Sequence, residues 1–240
     1  MPTPIDHLVV LAFAVVWPAW GTFVEMPRFK RDLAAGVPGI LVRGYRETIA
    51  RQWLLTAAAL VAWMVAARAW STLGVAWPHG LAGAIAAGVT VLAIAFQWVQ
   101  LGSVSRSPAT REAIRAQLAP LAFFLPRRPE EIRGFLPLAL TAGICEEVLF
   151  RGFLIWYLAA YVGTWPAVAI STLVFALAHV YQGFGGTLKA GAAGAVMAVL
   201  YVTTGSLLLP VILHAATDVL GGLTAYEGLK EEAPAEPLAA

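Results

Sequence analysis

The sequence predicts an all-α, polytopic membrane protein of about seven transmembrane helices, with a polar site among the C-terminal four. Hydrophobic residues make up 60% of the 240 residues and charged residues 12%, against about 45–50% and about 25% in soluble domains. The mean hydropathy is +0.75. A soluble fold of this size cannot bury so much apolar surface, because much of any small domain is exposed. The apolar residues also group into segments of the length that a bilayer requires.

These segments define the predicted spans. A transmembrane helix needs about 20 mostly apolar residues, because lipid offers the backbone no hydrogen-bond partners. The weakest segment begins near Lys189 and is rich in Gly and Ala. In chain order, the predicted spans are 7–24, 52–70, 81–101, 134–160, 164–181, 188–204 and 207–224.

The basic residues predict the orientation of the chain in the membrane. Of the 16 Lys and Arg residues, 12 lie in segments 25–51 and 102–133. The positive-inside rule places both segments in the cytoplasm, with the N-terminus outside and Lys230 inside. We expect an integral protein of the plasma (inner) membrane, with its polar site toward the cytoplasm. The two basic segments are predicted to form helices on the surface of anionic lipid, with solvated loops as the alternative.

Three parts of the chain follow from this pattern. Residues 1–133 are predicted to hold N-terminal transmembrane helices and basic interfacial segments, and residues 134–224 a four-helix core that contains the polar site. The acidic, Pro- and Ala-rich residues 225–240 are predicted to be a disordered tail.

The single cysteine, Cys145, excludes a disulfide scaffold. No nucleic-acid partner is expected, because no nucleic-acid-reading motif is present.

Ionisable residues inside spans are costly and are therefore functional candidates. Glu147 and Arg151 are four residues apart, a spacing that predicts an ion pair on one helix face. An Asp four residues after a His, as Asp218 is after His214, can accept from the ring N–H and fix its tautomer. Glu146 has no such partner on its helix, and a buried carboxylate without a cation suits a general base. Apart from Lys189, the ionisable residues of the last four spans are Glu146, Glu147, Arg151, His179, His214 and Asp218.

Each of these features also has a purely structural interpretation. Glu147 and Arg151 could form a structural ion pair, His179 could be a hydrogen-bonded residue near a span end, and His214 with Asp218 could join two helices. The occurrence of all three features in neighbouring spans favours a functional site, because each carries its own cost of insertion.

The same residues resemble a known family signature. Glu146-Glu147-x-x-x-Arg151, then Phe175-x-x-x-His179, then His214-x-x-x-Asp218 is similar to the three-motif signature of the CPBP intramembrane endopeptidases. That family includes CAAX prenyl endopeptidases and bacteriocin-processing or self-immunity (Abi-like) proteins. The resemblance covers roughly residues 134–224.

The resemblance implies a glutamate-dependent intramembrane protease that hydrolyses a peptide bond with an activated water. By this analogy Glu146 is the general base and His179 helps to hold the water. His214 stabilises the oxyanion, and Glu147 and Arg151 brace the site. The implied partners are the lipid bilayer and a membrane-associated peptide or protein, whether prenylated or not.

Position 218 differs in residue type from several family members. This chain has Asp there, whereas those members have Asn, which helps to stabilise the oxyanion. An ionised Asp would repel an oxyanion, whereas Asn donates to it. Asp218 must therefore be protonated, orient His214 or ligate a metal.

The sequence leaves open whether the site uses a metal cofactor. Zinc is the alternative to a mechanism that uses water alone. Glu146, His179, His214 and Asp218 are acceptable zinc ligands. However, no H-E-x-x-H motif is present, and the ligands would have to converge from three helices.

Other functions fit the sequence less well. A proton-coupled carrier could use the same Glu and His residues, but carriers usually show internal repeats, and here the candidates are confined to the second half. A catalytically silent scaffold of the same family is a further alternative. An aspartyl protease is excluded because Asp218 is the only Asp inside a span, so no aspartyl dyad can form.

Overall fold

The computed structural model describes residues 1–230, and these contain helices and no strands. The first helix, Pro4–Ala34, alternates between α and π geometry, and the helix of residues 129–162 contains one π segment, whereas the other helices are regular. The helices are α1 (Pro4–Ala34), α2 (Ile40–Val65), α3 (Gly80–Arg106), α4 (Pro108–Leu118), α5 (129–162), α6 (Thr164–Ala178), α7 (Gly183–Thr204) and α8 (Leu208–Leu229). Short 3-10 turns occur at Trp70–Leu73, Ala119–Leu121 and Val180–Gln182.

The chain is a polytopic, all-α membrane protein, as its composition predicts. Each of the seven predicted spans overlaps one of these helices, although spans 52–70 and 164–181 run past the ends of α2 and α6 and span 207–224 starts one residue before α8. Within residues 1–230, five helical stretches are long and apolar enough to cross a membrane: α1, α2, α3, Val180–Thr204 and α8. Helix α6 is apolar but only 15 residues long, and α5 carries three charged residues near its middle.

The first basic segment differs from its prediction. Residues 25–51 do not form a separate surface helix, because α1 continues to Ala34 and α2 already begins at Ile40. Basic residues are compatible with helix, so the helices end only where Gly36 and Gly39 adopt positive φ angles of 69° and 67°. In the second basic segment α4 is a separate helix. The Ser107 side chain caps it by accepting a hydrogen bond from the Thr110 backbone N–H at 3.2 Å.

Polar contacts define the two ends of the bundle. At one end, the Arg68 guanidinium donates to both oxygens of the Asp6 carboxylate at 2.9 and 2.5 Å, so the N-terminus lies beside the α2–α3 connection. At the other end, Arg115 Nε donates to the carbonyl of Gly228 at 3.2 Å, so α8 ends beside α4. This relative arrangement agrees with the charge pattern, and the side that faces the cytoplasm stays a prediction.

The predicted tail begins too early. Helix α8 continues to Leu229, so residues 225–229 of the predicted tail 225–240 are helical. Packing explains this extension, because an added Cβ at Gly228 would lie only 2.9 Å from Ile114 of α4. Residues 231–240 lie outside the described part of the chain.

An aromatic core joins the N-terminal helices to α5. Phe13 of α1 contacts Phe150 and Phe153 of α5 edge to face, with ring centroids 5.6 and 6.3 Å apart. Trp63 of α2 packs on the same Phe153 at 6.1 Å. Because α1 and α2 pack directly on α5, they help to position the charged residues of α5.

Candidate active site

A cavity of about 1010 Å³ lies between the helices, with residues of α1, α2, α5, α6, α7 and α8 in its wall. Five of the six predicted site residues line it: Glu146, Arg151, His179, His214 and Asp218. The sixth, Glu147, is fully buried behind the wall. The fold therefore brings together residues from three separate sequence motifs.

Helix α5 changes its geometry at the site. Residues Pro129–Glu146 are α-helical, Glu147–Leu154 form a π-helix, and Ile155–Val162 return to α geometry. Every residue of the π segment except Val148 is buried. Mid-helix π segments are rare and frequently occur at functional sites. Regular α-helical spacing does not predict this change.

Glu147 and Arg151 form the ion pair that their spacing predicts. Arg151 Nη1 lies 3.1 Å from Glu147 Oε1, and the two side chains are 1% and 0% exposed. Arg151 Nη2 donates to the carbonyl of Gly194 at 3.1 Å, and the guanidinium lies 4.2 Å from the centroid of Phe175. A Cβ at position 194 would approach Arg151 Nη2 to 3.0 Å, so glycine is needed there for α7 to come close.

His214 is held by Glu147 and not by Asp218. Its Nδ1 lies 2.7 Å from Glu147 Oε1. Because an ion-paired carboxylate only accepts, the ring Nδ1–H donates. The expectation that Asp218 accepts from the ring is wrong, since Asp218 Oδ2 is 3.6 Å from Nε2, beyond hydrogen-bond distance. Close packing between helices explains this choice, because a Cβ at Gly143 would lie 2.6 Å from the backbone nitrogen of Ala215.

Glu146 presents one oxygen to a protein donor and leaves the other unused. Its Oε1 accepts from Gln52 Nε2 at 2.7 Å. Its Oε2 is buried, lies 3.9 Å from His214 Nε2 and has no hydrogen-bond partner among residues 1–230. Gln52 lies in α2 and is not among the predicted site residues, all of which are ionisable. The signal that could have found it is an amide at the start of an otherwise apolar span.

His179 lies at the end of α6 with a defined tautomer. Its Nδ1 is 2.8 Å from the carbonyl of Phe175. A carbonyl only accepts, so Nδ1 carries the hydrogen and Nε2 is left as an acceptor. The rings of Phe175 and His179 are in contact, with centroids 4.6 Å apart. The ring of Phe175 thus contacts Arg151, His179 and, at 6.2 Å, His214.

The donor arrangement can be compared with a zinc site. Glu146, His179, His214 and Asp218 share one cavity. However, no group of three or more His, Cys, Asp or Glu side chains within residues 1–230 is placed to hold a metal ion. The hydrogen bond to Glu147 uses Nδ1 of His214 and leaves Nε2 on the side of Glu146 and Asp218. As placed, these side chains do not converge as a set of metal ligands.

Comparison with known proteins identifies the same region of the chain. Residues 128–220 match the protein-family model described as type II CAAX prenyl endopeptidase Rce1-like. This match confirms the resemblance to the CPBP family, and every motif residue from Glu146 to Asp218 lies inside it. It supports an intramembrane protease of the CAAX type in general. No curated protein and no solved structure matched the chain.

Proposed function

We propose that this chain, whose residues 128–220 are Rce1-like, is an intramembrane endopeptidase that cleaves a membrane-associated protein or peptide with a glutamate-activated water. One observation carries the proposal. Glu146 Oε2 is buried at a large cavity, lacks a protein partner among residues 1–230 and lies 3.9 Å from His214 Nε2. A carboxylate oxygen in this setting can take a proton from a water molecule.

The proposed reaction uses Glu146 first as a base and then as an acid. Oε2 takes a proton from the water while the water oxygen attacks the carbonyl carbon of the scissile bond. The resulting tetrahedral intermediate carries a negatively charged oxygen. Glu146 then gives its proton to the leaving nitrogen, the carbon–nitrogen bond breaks as the oxyanion re-forms a carbonyl, and a carboxylic acid and an amine are released. Acid–base catalysis of this kind contributes about 10²–10⁴-fold in rate.

His179 is assigned to hold the attacking water. Its Nδ1–H donates to the carbonyl of Phe175, so Nε2 is an acceptor on the cavity side. The water can donate one hydrogen to this nitrogen and the other to Glu146. A lone pair of the water oxygen is then left for the substrate carbonyl.

His214 is assigned to stabilise the oxyanion through its Nε2–H when the ring carries both protons. Glu147, bound to Nδ1 at 2.7 Å, fixes the ring and balances its charge, and Arg151 in turn holds Glu147. Loss of one such donor costs about 2.7–4 kcal/mol in acyl-transfer enzymes. Glu147 therefore orients a reacting group and is more than a brace.

Asp218 is assigned as a neutral donor beside the oxyanion. Glu147 already orients His214 through Nδ1, and the side chains as placed do not converge on a metal. Of the three roles that the sequence leaves open, these contacts favour protonation. Asp218 Oδ2 lies 3.6 Å from His214 Nε2, so both groups can face one substrate oxygen.

The active site is proposed to open toward the cytoplasm of the plasma (inner) membrane. The cavity that contains Glu146 is also lined by Arg28, Arg43 and Arg51 of the first basic segment. Under the positive-inside rule this end of the bundle is cytoplasmic.

The test compares Glu146→Gln with the wild type and with Glu130→Gln. Glu130 is an exposed carboxylate of the same helix, outside the cavity wall. We expect Glu146→Gln to abolish turnover without loss of folded protein, because it removes the base and little volume. Uncleaved membrane-associated peptides should accumulate in that strain and not in the control, as measured by quantitative peptide proteomics.

Two results would contradict the proposal. Cleavage by purified Glu146→Gln at a rate comparable with the wild type would remove Glu146 as the base. Identical membrane peptides in the wild-type and Glu146→Gln strains would favour a carrier or a silent scaffold.

A further inference from the structure

We propose that Gln52 is a positioning residue that holds the Glu146 carboxylate in its reactive orientation. Gln52 lies in α2, outside the matched residues 128–220, so a helix from the preceding region completes the active site. This inference rests on the proposed function of Glu146 as the base.

The geometry of the contact is that of a strong hydrogen bond. Gln52 Nε2 lies 2.7 Å from Glu146 Oε1, shorter than the most common N–H···O distance of about 2.9–3.0 Å. Gln52 is only 9% exposed, so water competes little for its amide. Because Oε1 is held, the carboxylate cannot rotate freely, and Oε2 stays near His214.

The unused end of Gln52 also indicates a role beyond packing. A carboxylate only accepts, so the NH₂ group of Gln52 must face Glu146. Gln52 Oε1 is then buried and has no hydrogen-bond partner among residues 1–230. Burying an unpaired acceptor costs stability. An apolar side chain would join α2 to α5 without that cost, so the amide is best explained by its bond to Glu146.

The kinetic test uses Gln52→Met, which keeps an unbranched side chain and removes the donor. We expect kcat to fall about 10- to 100-fold with KM unchanged, the loss typical of a hydrogen bond to a charged group. Trp53→Phe is the matched control. It removes the bond from Trp53 Nε1 to Thr141 Oγ1 at 3.3 Å, which also joins α2 to α5 but does not involve Glu146. The control should keep the wild-type kcat.

A second measurement does not depend on activity. A hydrophobic carbodiimide reacts with protonated carboxyl groups, and peptide mass spectrometry reports the labelling of Glu146. Loss of a donor to the ionised form favours the neutral form. Glu146 should therefore be labelled several-fold faster in Gln52→Met and at the wild-type rate in Trp53→Phe.

The outcomes separate failure of this inference from failure of the proposed function. An unchanged kcat in folded Gln52→Met overturns the positioning role. If labelling is also unchanged, the contact itself does not affect Glu146. If labelling is faster while kcat is unchanged, the assignment of Glu146 as the base fails with it. Should Gln52→Met not fold, Gln52→Asn gives the same comparison, because its amide is one methylene too short for the bond.

Discussion

The buried ion pair between Glu147 and Arg151 allows a quantitative test of how the site is held together. Arg151→Ala removes the cation and leaves the Glu147 carboxylate at 0% exposure. Breaking a buried pair in this way costs about 3–5 kcal/mol. His214 still binds Glu147 at 2.7 Å, so we expect the lower end, about 3 kcal/mol.

This loss can be measured as a change in melting temperature. At about 2–4 °C per kcal/mol for a chain of this size, Arg151→Ala should lower Tm by about 6–12 °C. The assay is thermal unfolding of the purified protein in detergent, together with the yield of folded protein. The double variant Glu147→Gln/Arg151→Met is the control. It removes both charges and should be more stable than Arg151→Ala.

The reasoning fails if Arg151→Ala melts within about 2 °C of the wild type, a shift below about 1 kcal/mol. It also fails if the double variant is less stable than Arg151→Ala. Either result would mean that the charge of Glu147 is not stabilised mainly by Arg151.

The remaining predictions concern Asp218 and the orientation of the chain. Asp218→Asn keeps a donor near the oxyanion and should preserve or raise activity, particularly as pH rises, in a pH series with and without chelator. The water-only mechanism would be contradicted if Asp218→Asn were inactive and regained activity with added zinc, while chelators inactivated the wild type. A topology reporter fused after Lys230 should indicate the cytoplasmic side of the membrane, and one inserted near His79 should indicate the external side. The opposite pattern would reverse the proposed orientation.

The fold class and the positions of the helices could be predicted from the sequence because both depend on local composition. A run of apolar residues predicts a helix wherever lipid is the solvent, and each of the seven predicted spans overlaps a helix. The boundaries were less predictable. Basic residues at the ends of α1 and α2 are polar yet remain helical until Gly36 and Gly39. The end of α8 depends on a distant contact with Ile114.

That the six polar residues lie together could be predicted, but the contacts between them could not. Costly polar residues in an apolar chain are conspicuous, and spacing along one helix predicts a pair such as Glu147 with Arg151. Spacing also suggested that Asp218 would bind His214, and there it failed, because a neighbour on another helix can be closer than one on the next turn. Glu147 reaches His214 across the close contact of α5 with α8.

By itself, the sequence determined that this protein spans a membrane, approximately where its helices lie, and that its ionisable candidates for the site are six residues of the second half. The tertiary structure alone decided which atoms face each other. It assigned His214 to Glu147 and brought Gln52 from the first half to Glu146. Whether a segment lies in lipid depends on its own composition, so it can be predicted from the sequence. Hydrogen bonds act over only about 3 Å, so their partners are fixed by how the helices pack.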